Sequence, residues 1–148
     1  MAASFIPLSQ AAVPEALRLR EQLYLHEDLA YNPGDAGRLI AELIESPNYG
    51  GIWLVDVDGR TAGYLLLTVC YSLEFGGRFG LLDELYIEDR WRGQGIGAAA
   101  LDFAESECRR RSLRAVRLEV AHANPRALDL YRRRGFSVDP RHLMTKWL

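Results

Sequence analysis

Two cysteines among 148 residues are too few for a disulfide framework, and Cys70 and Cys108 do not form a C-x-x-C pair. Both read as small buried hydrophobes of a reduced compartment. His26, His122 and His142 are scattered along the chain and the cysteines complete no ligand spacing with them, so no metal is expected. Nowhere do about eighteen apolar residues run uninterrupted, and Met1 to Leu8 lacks a basic segment followed by a long apolar one. The expectation is a cytoplasmic protein with no membrane association.

Excess charge is missing too. The formal net charge is -2, which gives no electrostatic case for nucleic acid, and Arg132 to Arg134 read as a solvated basic helix end. There is no repeat, low-complexity tract or Pro/Ser-rich linker, so residues 1–148 are expected to form one domain. A hydrophobic fraction of 49% against 26% charged residues suffices for an ordinary core.

What is present is a regular alternation of patterns. Ser4 to Leu8 suits a short strand, and Ala16, Leu19, Leu23 and Ala30 recur at helical spacing behind Pro14 in the first turn. After Asn32-Pro33-Gly34, the stripe Leu39, Ile40, Leu43 and Ile44 predicts a second helix ending near Ser46-Pro47. Ile52 to Val57 and Thr61 to Tyr71 flank Asp58-Gly59, a strong hairpin signal. Leu81 to Ile87 predicts a further strand, then a glycine-rich turn and a helix from about Ile96 to Arg111. Val116, Leu118 and Val120 alternate as a strand. Asn124-Pro125 opens a helix that Gly135 stops, and Phe136 to Val138 and Leu143 to Trp147 supply one or two last strands. The result is an α+β fold with a mixed, mostly antiparallel sheet flanked by helices, in the order β-α-α-β-β-β-α-β-α-β.

The segment Arg92-Gly93-Gln94-Gly95-Ile96-Gly97 follows a strand and opens a helix. Its unpaired backbone N–H groups and the helix dipole can converge on a phosphate, with glycine permitting close approach and Arg92 adding charge. Gly-Lys-Ser/Thr is absent and the glycines lack G-x-G-x-x-G spacing, which excludes a Walker A loop and a Rossmann fingerprint. A tight strand-to-helix turn needing glycine for geometry alone is the other reading.

This segment resembles the acetyl-CoA loop of the GCN5-related N-acetyltransferase (GNAT) family, Q/R-x-x-G-x-G/A. A second stretch, Asn124 to Tyr131 followed by Gly135-Phe136, matches that family's N-x-x-A-x-x-x-Y-x-x-x-G-F pattern. The resemblance covers nearly the whole chain in element order. It implies that the main chain of Leu85, Tyr86 and Ile87 pairs with the pantetheine arm of acetyl-CoA as an added strand would. It further implies that Arg92, Gly93, Gln94, Gly95, Ile96, Gly97 and Ala98 hold its phosphates, that Asn124 contacts the pantetheine, and that Tyr131 lies near the thioester sulfur. On local chemistry alone, Asn124 is a helix cap and Tyr131 a packed aromatic.

Acetyl transfer to an amine needs a neutral nucleophile, a stabilised oxyanion and a proton for the departing thiolate. An alkylamine with a pKa of about 10.4 gains from a nearby carboxylate base. Glu84 is the first choice, with Asp83 a substrate contact or alternative base, because adjacent strand residues normally face opposite ways unless a bulge intervenes. The N–H near Leu85 or Tyr86 is a candidate oxyanion donor, and Tyr131 a candidate acid. Glu74 and Tyr71, in the segment joining two strands ahead of Asp83, are candidate acceptor contacts, as are Glu27, Asp28, Tyr24 and Tyr31.

The leading expectation is an acetyltransferase acting on a primary amine of a small metabolite in a ternary complex. Acetylation of a protein N-terminus or lysine, and a CoA-binding sensor without turnover, remain as alternatives. An unpaired sheet edge near the tail leaves open cover from within the chain or by a second subunit of a homodimer.

Overall fold

The computed structural model describes residues 2–148. Five strands, β1 (Ala3–Pro7), β2 (Gly50–Val57), β3 (Arg60–Ser72), β4 (Gly77–Ile87) and β5 (Val116–Leu118), form one sheet in that spatial order. The first four pair antiparallel and β5 lies parallel to β4. Helices α1 (Val13–His26) and α2 (Ala36–Glu45) connect β1 to β2, α3 (Ile96–Arg110) connects β4 to β5, and α4 (Pro125–Arg133) follows β5.

Strand alternation divides the core between two faces. Trp53, Val55, Val57, Leu65 and Leu67 meet Ala100, Leu101, Ala104 and Cys108 of α3 on one side. Ile52 and Tyr64, from the intervening positions, meet Ala16, Leu19 and Leu23 of α1 and Ile40 of α2 on the other. Gly80 lets α3 approach closely, since a Cβ there would stand 2.5 Å from the Cys108 sulfur. Burial pushes the Cys108 thiol up to about 11, in keeping with a structural role.

The element order follows expectation through α4, with several differences in extent. α1 stops at His26, and Asp28 turns the chain with a φ of 54°, which leaves Ala30 outside the helix. β5 is three residues long and excludes Val120. No strand is assigned after α4: Phe136 to Leu148 runs without regular structure, because none of these residues pairs with a sheet edge.

Candidate functional site

β4 carries an irregularity that decides where the acids point. Leu66 pairs with Glu84 but the next residue of β3, Leu67, pairs with Leu82, so Asp83 is an extra residue bulged out of register. Leu82 and Leu85, three positions apart, consequently both pack on the α3 side, which strict alternation forbids. Asp83 and Glu84 then line a common hollow of about 490 Å³ between the sheet and the α1–α2 segment.

Within that hollow the two acids differ. Arg20 Nε donates to both Glu84 oxygens at 3.1 and 3.2 Å, and the Tyr64 hydroxyl donates to one of them at 2.9 Å. Arg20 also donates to the Tyr24 hydroxyl at 2.7 Å and lies 4.6 Å above that ring. Glu84 is thus anchored by two groups, and burial together with its charge raises the Tyr64 pKa. Asp83 has no ion-pair or hydrogen-bond partner among the described residues. The residue is exposed by surface area, yet the protein around it partly desolvates the carboxyl and lifts its pKa above 3.8, with Arg20 pulling it back.

Opposite β3, the pairing of β4 with β5 covers only Gly80 to Leu82. From Asp83 to Ile87 the strands diverge, and the main chain of Leu85, Tyr86 and Ile87 has no strand partner on that side. The divergence opens toward the glycine turn. Gly93 and Gly95 hold φ angles of 74° and 82°, and no atom outside their own neighbours lies within 4 Å of where either would carry a Cβ. Gly95 precedes α3 without a side-chain cap, and the first turn carries no acid, so the leading N–H groups of Ile96, Gly97 and Ala98 have no side-chain acceptor among the described residues. Arg92 anchors the turn by donating to the Ile87 carbonyl at 2.9 Å and pairing with Asp89 at 2.8 Å, while Gln94 donates to the Arg90 carbonyl.

Asn124 caps α4 by accepting from the Ala127 N–H at 3.1 Å. Tyr131 packs edge-on against Phe136, and burial raises its hydroxyl pKa, to which the Glu27 carboxylate adds. It lines a groove between α3 and α4 rather than the hollow of Asp83 and Glu84. Tyr71 and Glu74 are not brought to that hollow either. They sit at the β3–β4 turn, where Tyr71 is exposed and Glu74 pairs with Arg141 at 2.7 Å, because the long hairpin carries its tip away from the bulge. Arg20, Tyr64 and Asp35, which do line the hollow, carry no motif that sequence reasoning can read.

The sequence model of the Acetyltransferase (GNAT) family matches residues 15–136. The chain belongs to the GNAT acetyltransferase family. GNAT relatives include a bovine thialysine N-epsilon-acetyltransferase, 31% identical over 66% of this chain and 53% of that protein. An uncharacterised N-acetyltransferase of Methanocaldococcus jannaschii is 26% identical over 66% of this chain and 43% of its own length. The chain therefore spans about half the length of these curated relatives. An integron cassette protein from Cole Harbour salt marsh superposes with a TM-score of 0.85 at 30% identity, covering 97% of this chain and 90% of that one. A Clostridium acetobutylicum protein described as a predicted acetyltransferase, solved with acetyl-CoA, shares the GNAT fold with a TM-score of 0.83 at 16% identity, covering 98% and 96%. Among the described residues no helix is long and apolar enough to cross a membrane.

Proposed function

We propose that this GNAT protein transfers the acetyl group of acetyl-CoA to the primary amine of a small cationic molecule. The observation that carries the reading is the β4 bulge, which turns Asp83 and Glu84 into one hollow beside the open edge of the same strand. The donor fits the features on that edge. The glycine turn leaves room and unpaired N–H groups for a diphosphate, and the unpartnered main chain of Leu85 to Ile87 suits an extended pantetheine arm.

The hollow sets the acceptor. Asp83 and Glu84 outweigh the one guanidinium that lines the hollow, Arg20, which favours a cation; Asp35 also lines it but pairs with Arg38 at 3.3 Å, and Leu39, Ile40, Leu43, Ile52 and Leu66 supply an apolar wall for a short carbon chain. The bovine relative's name, thialysine N-epsilon-acetyltransferase, describes an acceptor of this kind.

Asp83, not the anchored Glu84, takes the proton. The lone pairs of Glu84 are engaged by Arg20 and Tyr64, so its work is to fix both groups, whereas the unpartnered Asp83 carboxylate is free to accept. The neutral amine nitrogen attacks the thioester carbon, an N–H of the open β4 edge receives the oxyanion, and the C–S bond breaks as the amide forms. The amine proton passes to Asp83. Burial keeps the Tyr131 hydroxyl protonated, so it can donate to the departing thiolate.

The test is release of free CoA from acetyl-CoA across diamines, amino acids and peptides. Release that depends on a small cationic amine supports the reading. Release with peptides alone moves the acceptor to a protein, and acetyl-CoA binding without turnover on any acceptor favours a sensor.

A further inference from the structure

Both arginines of the glycine turn are engaged in holding it. Arg90 pairs with Glu88 at 3.6 Å and rests 5.6 Å from the centre of the Trp91 ring. Arg92 donates to the Ile87 carbonyl and pairs with Asp89, and its Nη1 also lies 3.3 Å from His26 Nδ1. The coenzyme that the turn suits carries more charge than its diphosphate. A phosphate monoester on the ribose 3′-oxygen adds about −1.5 to −2 near neutral pH.

α4 brings an arginine to this end of the fold from outside the turn. Two contacts show that α3 and α4 lie side by side and run in the same direction. A Cβ on Gly97 would touch Leu130 Cδ2 at 3.9 Å, and Arg134 donates to Asp102 at 2.9 Å, so partners are offset by 33 positions and then by 32. Arg126, Leu130 and Arg134 recur every four residues and share that face of α4. The same offset sets Arg126 level with Gly93 and Gln94, about 6 Å farther along the axis than Leu130 and past the first residue of α3. Helical side chains lean toward the N-terminus, which carries the guanidinium farther over the turn. Arg126 is exposed and has no ion pair or hydrogen bond among the described residues, although Asp129 stands three positions on.

We propose that Arg126 binds the 3′-phosphate of coenzyme A and makes the protein select this coenzyme over its 3′-dephospho form. The assignment rests on the acetyl-CoA reading of the donor site. Within the turn, the diphosphate has the N–H groups of Ile96, Gly97 and Ala98 and the α3 dipole. The monoester lies one ribose beyond it, outside the turn, where Arg126 stands unengaged. A guanidinium offers the monoester two parallel N–H donors. The pantetheine arm separates this contact from the thioester, so its effect falls on binding and not on the chemical step.

Calorimetry with CoA and with 3′-dephospho-CoA tests the assignment. The parent should bind CoA about 10- to 100-fold more tightly, and Arg126→Ala should bind the two alike, with CoA weakened by that factor and 3′-dephospho-CoA held within about twofold. Arg126→Lys should keep part of the preference, since a point charge replaces the two-pronged contact. Arg133→Ala, which removes an equal charge from the far end of α4, should keep all of it. In turnover, Arg126→Ala should raise the KM for acetyl-CoA and leave kcat unchanged. A parent that binds both ligands equally, or an Arg126→Ala that keeps the preference or weakens both ligands alike, overturns the proposal. A parent that binds neither would remove the acetyl-CoA reading and this assignment with it.

Discussion

Arg20 on α1 and Glu84 on β4, 64 residues apart in the chain, form an ion pair with the guanidinium nitrogen 3.1 Å from a carboxylate oxygen. The pair ties the helical layer to the bulged strand at the hollow that Asp83 and Glu84 line. Arg20→Ala leaves a half-buried carboxylate with Tyr64 alone, at a cost of about 1–3 kcal/mol. Arg20→Lys should recover only part of it, because one ammonium cannot reproduce the planar guanidinium fork. Urea unfolding measures both, and an unchanged midpoint for Arg20→Ala would show that the pair contributes nothing to stability.

Asp83→Asn separates catalysis from stability. Loss of the proton acceptor should lower kcat/KM by about 10²- to 10⁴-fold, with acetyl-CoA affinity held within about threefold. Desolvation raises the folded-state pKa of Asp83, so between 3.8 and that raised value the folded protein binds more protons than the unfolded one. Stability from this group is full below pH 3.8 and is lost as pH rises through the folded pKa. Asp83→Asn should therefore melt at a higher temperature than the parent at neutral pH. If it melts lower and turns over normally, the assignment of Asp83 fails.

If Asp83 is the proton acceptor proposed above, the same ionisation should set the acidic limb of turnover. Asp83 accepts a proton only as the carboxylate, so kcat should fall as pH drops through its raised pKa. That limb should vanish from the residual activity of Asp83→Asn. Its persistence there would assign it to another group.

Tyr131→Phe removes the hydroxyl and keeps the edge-on packing against Phe136. The expected result is a lower kcat with acetyl-CoA binding and melting temperature little changed. An equal loss of donor affinity would make Tyr131 a binding residue.

Gly95→Ala meets no steric obstacle, since nothing lies within 4 Å of the added carbon, but it must hold a φ of 82°. The strain costs about 1–2 kcal/mol. The new methyl also stands at the opening of α3, so calorimetry should show weaker acetyl-CoA binding than the stability loss alone explains. Unaltered affinity would place the diphosphate elsewhere.

Much of this molecule was legible residue by residue. Asp58-Gly59 marked the β2–β3 hairpin, and Asn124 before Pro125 marked the start of α4, where its side chain does accept from Ala127. The Gly93-to-Gly97 spacing marked the turn into α3. These signals are local: each depends on backbone dihedrals and hydrogen bonds among residues a few positions apart. The tail departs from its strand pattern for the same reason. Leu143 to Trp147 has strand character, but a strand exists only where an edge receives it.

The sequence by itself determined the order of elements, the glycine turn and the cap of α4, because those follow from short-range sterics and pairing. Only the tertiary structure decided which acid is free. Register between β3 and β4 produced the bulge at Asp83, the crossing of α1 brought Arg20 to Glu84, and the length of the hairpin removed Tyr71 and Glu74 from the hollow. Contacts made across dozens of residues depend on strand register and layer packing, and no stretch of neighbouring letters encodes them.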